Sequence, residues 1–215
     1  MAIETKICGI NSAQAMGAAI DGGADFVGLV FYPPSPRYVG PDAAAALCAP
    51  VPEGVVKVGL FVDIVDATLD AVVAQVSLDL LQLHGNEAPG RVREIADRTG
   101  IAVMKAIKVE SAADVDGAEA YAGVADRLLF DAKAPAEMTG ALPGGNALNF
   151  DWRLLSGRRW GRPWMLSGGL DADNLADAVG ISGAGAVDVS SGVEDAPGAK
   201  SAAKIAAFLA CAKAL

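Results

Sequence analysis

A single histidine, His84, occurs in 215 residues. That scarcity nearly excludes a histidine-rich metal site and weakens any Ser-His-Asp arrangement, so proton transfer must be run by other groups. Cysteine is scarce too. Cys8, Cys48 and Cys211 cannot all pair, and a chain this long needs no disulfide staple, which favours a reducing cytoplasm. Positive charge is in deficit, with 17 Lys and Arg against 26 Asp and Glu and a net charge of −9. This argues against nucleic acid or an anionic membrane as a partner. No apolar run reaches the roughly 18 residues that suggest a membrane span. The first residues lack a charged segment followed by an apolar one, so no secretory signal is expected. No low-complexity tract or domain boundary interrupts the chain.

Apolar residues make up 53% and charged residues 20%, enough for a large core and too little charge for disorder. Short apolar runs alternate with helical patterns throughout. Strand-like segments are read at Ile3 to Ile10, F-V-G-L-V-F from Phe26, V-V-K-V-G-L-F-V from Val55, L-D-L-L-Q-L-H ending at His84, A-V-M-K-A-I from Ala102, and R-L-L-F-D ending at Asp131. Between them, Asn11 or Ser12 suits a helix cap, with Met16 and Ile20 on the buried side, and Pro41 suits a first helical position. A helix carries Leu69, Val72, Val73 and Val76, the next carries Val92 and Ile95, and a fifth spans roughly Ser111 to Tyr121. A glycine-rich loop, Met138 to Asn149, is the best candidate for a mobile lid, and a short helix follows from Trp152.

The last third holds two similar units. In each, an apolar run (Trp164 to Leu166, then Ala186 to Val189) stops at small residues, Ser167-Gly168-Gly169 and Ser190-Ser191-Gly192. After the first, Ala172, Leu175, Ala176 and Val179 form a helical stripe that Asp171 could cap. Eight βα units in 215 residues, with no G-x-G-x-x-G after strand one, predict one (β/α)8 barrel over residues 1–215 rather than an open doubly wound sheet.

In such a barrel the strand ends converge on one mouth. That brings together Cys8, Arg37, Asp63, His84, Lys108, Asp131, Ser167 to Gly169 and Asp188 to Gly192. The two glycine-serine turns, Gly168-Gly169 and Ser190-Ser191-Gly192, follow strands seven and eight, where barrels commonly bind phosphate through backbone N–H groups. The expected partner is therefore a phosphorylated small molecule. Lys6 shares a strand face with Cys8, which predicts a lowered thiol pKa, and only the thiolate is a base. To act as an acid near neutrality, Asp131 must hold its proton, favoured by apolar walls from Leu129 and Phe130 or by a nearby phosphate; its other readings are a helix cap or a partner for Lys133. His84 is read evenly as a ligand contact or a satisfied structural imidazole. Arg37 sits in a proline-braced loop, F-Y-P-P-S-P-R-Y-V, suited to bidentate capture of a carboxylate.

With K-I-C-G, F-Y-P-P-S-P-R-Y-V, V-G-L-F-V, L-Q-L-H-G, L-L-F-D-A-K, L-S-G-G-L and V-D-V-S-S-G-V-E in order, the chain resembles the phosphoribosylanthranilate isomerases of tryptophan biosynthesis. The resemblance covers essentially the whole chain. It implies a barrel without a cofactor or metal that performs an Amadori rearrangement of an aminoaldose to an aminoketose. It implies Cys8 as general base, Asp131 as general acid, Arg37 on the anthranilate carboxylate, the two turns on the phosphate, and Asp188 near the sugar hydroxyls. One departure is G-G-N-A-L-N before F-D-W, where Ala147 and Leu148 replace a glycine and a lysine of the family pattern.

Two other readings remain. An isomerase for the histidine-pathway aminoaldose would share the last two turns but use two aspartates, against which Cys8 speaks. A catalytically silent phospholigand-binding barrel would not need both Cys8 and Asp131. Monomer and homodimer are equally compatible with the sequence.

Overall fold

The computed structural model describes residues 3–135, 142–146 and 148–215. Its centre is a closed barrel of eight strands in sequence order: β1 (Glu4–Cys8), β2 (Phe26–Val30), β3 (Val56–Phe61), β4 (Leu80–Leu83), β5 (Ala102–Val109), β6 (Arg127–Ala132), β7 (Trp164–Leu166) and β8 (Ala186–Val189). Every neighbouring pair is parallel, and β1 closes on β8 with Lys6 opposite Asp188. Strand β2 is buried at all five positions, as a strand covered on both faces requires.

Strand alternation divides the core into two layers. Phe26, Val58, Leu80, Met104, Leu129, Met165 and Ala186 fill the lower barrel interior, while Ile7, Val27, Leu29, Leu81, Leu83, Val103 and Phe130 face the surrounding helices. Each Val, Leu, Ile, Phe or Met among them contributes about 1.5–3 kcal/mol when fully removed from water. Polar side chains sit above the lower layer. Lys6 and Gln82 are fully buried, and Asp188 nearly so.

The helices are α1 (Ala13–Gly22), α2 (Pro41–Cys48), α3 (Asp66–Gln75), α4 (Pro89–Thr99), α5 (Ala112–Gly117), α6 (Leu175–Ser182) and α7 (Ala202–Lys213). The described residues thus hold seven α-helices, not eight. Between β6 and β7 the expected short helix is a single 3-10 turn, Trp152–Leu155, pinned by the Asp151 carboxylate at its start and followed closely by left-handed glycines at 157 and 161. After β8 the chain makes a 3-10 turn, Ser191–Val193, then an unforeseen hairpin of β9 (Glu194–Ala196) and β10 (Ala199–Lys200) before α7.

Local signals mostly landed close to their elements. Ser12, not Asn11, caps α1, accepting a hydrogen bond from the N–H of Ala15; Asn11 instead donates to the carbonyl of Gly198. Asp171 accepts from the N–H groups of Asp173 and Asn174, which closes a turn and delays the start of α6. The buried stripe of α6 is consequently Leu175, Ala178 and Ser182, with Ala176 exposed. The expected lid from Met138 to Asn149 falls in part, at 138–141 and 147, outside the described residues.

Candidate active site

The C-terminal ends of the strands open onto one cavity that is continuous with solvent. Cys8, Arg37, His84, Asp131 and Asp188 all line it, as do Gly168, Gly169, Ser190 and Ser191. Gly192 does not line it. A Cβ there would lie 1.9 Å from the carbonyl oxygen of Leu170, so the glycine lets the β8 turn pack onto the β7 turn. Gly168 and Gly169 have φ of +91° and +62°, conformations that side-chain-bearing residues rarely adopt.

Two expected mouth residues are absent from the lining. Asp63 braces the loop after β3: its carboxylate accepts from the N–H of Asn86, and its own N–H donates to Glu87. Lys108, opposite Asp131 in the ladder, also stays out of the cavity. Lys133 pairs with Glu110 at 2.9 Å, not with Asp131. Phe130 turns outward onto Trp160 and Trp164 and forms no wall around Asp131.

Cys8 and Lys6 point inward from β1, one above the other. Both flank Gly28, where a Cβ would stand 3.2 Å from Cys8 Sγ and 3.2 Å from Lys6 Nζ. The expectation of a lowered thiol pKa is corrected here. Burial pushes the Cys8 thiol up, and the Lys6 ammonium beside it offsets only part of that cost. Burial opposes the charge on Lys6 as well, but Asp188, 2.8 Å from Nζ, outweighs it and holds the ammonium above its ordinary value. The second oxygen of Asp188 accepts from Ser167 Oγ.

Asp131 makes two hydrogen-bond contacts. Its Oδ1 accepts from the N–H of Ala132 at 2.9 Å, and its Oδ2 lies 3.1 Å from His84 Nε2. The other ring nitrogen, Nδ1, lies 2.9 Å from Gln82 Nε2. Both nitrogens of His84 are therefore engaged within the protein, which supports the satisfied-imidazole reading and leaves the ring's exposed edge and face for any ligand.

Arg37 is buried, and its fork meets a carboxylate of the protein itself. Nε and Nη2 donate to Glu194, each at 2.8 Å, and Nη2 also donates to the carbonyl of Gly145. Lys200 Nζ reaches the same Glu194 at 2.7 Å and the Ser190 carbonyl at 2.8 Å. Burial raises the Glu194 carboxyl, but Arg37 and Lys200 outweigh it and hold it below its ordinary value; burial lowers Lys200 despite Glu194. The cations Lys6, Arg37 and Lys200 are thus each paired with a carboxylate of the protein, Lys6 with Asp188 and the other two with Glu194.

Gln82, Glu194 and Lys200 are not among the residues expected at the mouth from sequence. Gln82 had a signal, being the polar residue inside the run L-D-L-L-Q-L-H with the same parity as His84. Glu194 closes the run V-D-V-S-S-G-V-E, where nothing local marks it as a partner for Arg37. Lys200 had no signal, since only the β9–β10 hairpin turns it back under the Ser190 loop. Among the described residues no group of three His, Cys, Asp or Glu side chains could hold a metal ion. No helix among them is long and apolar enough to cross a membrane.

The family described as "N-(5'phosphoribosyl)anthranilate (PRA) isomerase" matches residues 5–210. The N-(5'-phosphoribosyl)anthranilate isomerase of Rhodospirillum centenum is 61% identical over 215 residues, covering all of both chains. A solved phosphoribosylanthranilate isomerase in complex with reduced 1-(o-carboxyphenylamino)-1-deoxyribulose 5-phosphate is 36% identical, with a TM-score of 0.85 and coverage of 99% of this chain and 100% of that one. Monomers generated from the dimeric enzyme of Thermotoga maritima are 37% identical, with a TM-score of 0.84 and the same coverage. On this family match, with identity running the full length of both chains, the protein belongs to the phosphoribosylanthranilate isomerase family.

Proposed function

We propose that this chain converts N-(5'-phosphoribosyl)anthranilate to 1-(2-carboxyphenylamino)-1-deoxyribulose 5-phosphate, with Asp131 as general acid and Cys8 as general base. The observation that carries this reading is that the Cys8 thiol and the Asp131 carboxyl line one cavity that the two glycine-serine turns also line.

Asp131 gives its proton to the furanose ring oxygen. The C1–O bond breaks as the nitrogen lone pair forms a Schiff base. The Cys8 thiolate then takes the C2 proton, the electron pair becomes the C1–C2 double bond, and the enolamine tautomerises to the ketone. The substrate gains and loses no electrons overall, so acid and base suffice; each positioned group contributes about 10²–10⁴-fold. Lys6 offsets part of the charge of the buried thiolate, and Asp188 anchors Lys6 while offering its cavity edge to the sugar hydroxyls.

Gly168, Gly169, Ser190 and Ser191 hold the phosphate, with Gly192 keeping the two turns packed. Among the described residues Arg37 Nη1 makes no hydrogen bond within the protein, and it is the donor left for the anthranilate carboxylate. The reading calls on no residue of a second copy and is compatible with a monomer or a homodimer. The three unpaired cysteines, one of them the base, suit the cytoplasm.

The test follows loss of anthranilate-type fluorescence with freshly made substrate and a chelator present, wild type beside Asp131→Asn. Turnover by wild type alone supports the reading. A folded wild type that binds the reduced product analogue without turning over substrate would leave a silent binding barrel.

A further inference from the structure

Gln82 stands on β4 two residues before His84, so both side chains point into the barrel. It is fully buried and lines the cavity floor. Its amide nitrogen, a donor without a lone pair to offer, lies 2.9 Å from His84 Nδ1. With the amide in this orientation Nδ1 accepts, and a ring carrying one proton then holds it on Nε2, 3.1 Å from Asp131 Oδ2. The Gln82 carbonyl oxygen, Oε1, has no hydrogen-bond partner among the described residues. A leucine or methionine would fill the same space without burying an orphaned acceptor, so packing alone does not account for an amide here.

We propose that Gln82 is a positioning residue that fixes His84 as its Nε2–H tautomer, so that His84 donates to the Asp131 carboxylate left behind by the acid step. The inference rests on Asp131 being the acid. The protons balance without a change at the imidazole: the one on Asp131 goes to the ring oxygen, and the one on His84 Nε2 stays there while its hydrogen bond to the new carboxylate strengthens. With the opposite tautomer, a bare Nε2 lone pair would face that carboxylate and the acid step would lose this support. Fixing a ring by the partner of its other nitrogen is how histidines are oriented at reacting centres in general.

His84 is the sole histidine, so every imidazole nitrogen signal of the tag-free protein belongs to it. Long-range 1H–15N spectra of the wild type should show protonated Nε2 and bare Nδ1; a predominantly Nδ1–H ring overturns the proposal without any variant. Gln82→Met, of similar length, should give a tautomer mixture, a kcat at least tenfold lower and a KM within twofold. An unchanged tautomer or an unchanged kcat in that variant also overturns it. Asp131→Asn is measured alongside: turnover retained there sinks the acid assignment itself, whereas an inactive Asp131→Asn beside a fully active Gln82→Met sinks only the role of Gln82.

Discussion

Arg37 grips Glu194 through two parallel hydrogen bonds of 2.8 Å, across 157 positions of sequence. The pair holds the guanidinium plane at the cavity wall, so Arg37 is aimed before a ligand arrives. Glu194 keeps Lys200 if Arg37 is removed, and the buried carboxylate is not orphaned. Arg37→Ala should therefore fold and raise KM by about 10- to 100-fold with kcat within a few-fold, the size expected for one charge-assisted hydrogen bond. Arg37→Lys should recover only part, since an ammonium cannot serve Glu194 and a ligand through one planar fork. Steady-state kinetics decide it; a loss lying mainly in kcat would remove Arg37 from ground-state binding.

The state of the Cys8 thiol sets a pH dependence. Burial holds the thiol up, so the thiolate is the minor form at neutral pH, and its fraction rises about tenfold per pH unit until the thiol ionises. When C2 deprotonation limits the rate, kcat/KM should climb with pH through and above neutrality. Cys8→Ser should lose about 10²–10⁴-fold in kcat. Iodoacetamide inactivation should follow the same rise and be slowed by the product analogue. A kcat/KM profile that is flat from neutral to alkaline pH would argue against Cys8 as the base.

Acid stability should come from carboxylates that the fold keeps ionised. Burial raises the Glu87 carboxyl, but Lys105 at 2.9 Å and the backbone N–H groups of Asp63 and Gly85 outweigh it and hold it below its ordinary value. Glu194 is held below the same value, as described above. A depressed folded-state value contributes stability that is fully present above the unfolded value and lost as pH falls through the folded one. The melting temperature should thus decline below about pH 4.5. Glu87→Gln should cost about 3 kcal/mol at neutral pH, because Lys105 stays buried with only the carbonyls of Leu83 and Gly85, and should flatten that acid decline. An equally steep decline in the variant would place the acid lability elsewhere.

Much of this architecture was legible because it is written locally. The barrel follows from apolar runs that stop at small residues, and β7 and β8 begin and end where Trp164, Leu166, Ala186 and Val189 suggested. Cys8, Arg37, His84, Asp131 and Asp188 share a cavity because each closes a strand or its loop. Pairings between distant segments left no local trace. The carboxylate that Arg37 meets belongs to β9, and β9 and Lys200 reach the mouth through a hairpin no periodicity announced. Desolvation was equally hidden: Lys6 beside Cys8 implies a lowered thiol value, and only the complete burial around both reverses that. Gln82 was visible in sequence, yet its meaning depends on which ring nitrogen of His84 it faces.

The proposed phosphate grip of the two glycine-serine turns can be tested by a change that adds one methyl group. Gly192 is not in a left-handed conformation, so alanine there is opposed by space alone: its Cβ would stand 1.9 Å from the Leu170 carbonyl oxygen, a backbone atom that cannot swing aside. Relief requires the β7 and β8 turns to separate, which moves the N–H groups near Gly169 and Ser191 away from a common focus. Gly192→Ala should therefore raise both KM and the inhibition constant for inorganic phosphate, by roughly tenfold for the loss of one good donor. Gly180 serves as the control, since it lies within α6 with nothing within 4 Å of an added Cβ. Gly180→Ala should add about 0.5–1 kcal/mol of stability by lowering unfolded-chain entropy, with KM unchanged. If Gly192→Ala holds phosphate as tightly as wild type while Gly180→Ala behaves as stated, the phosphate is not gripped by the paired turns.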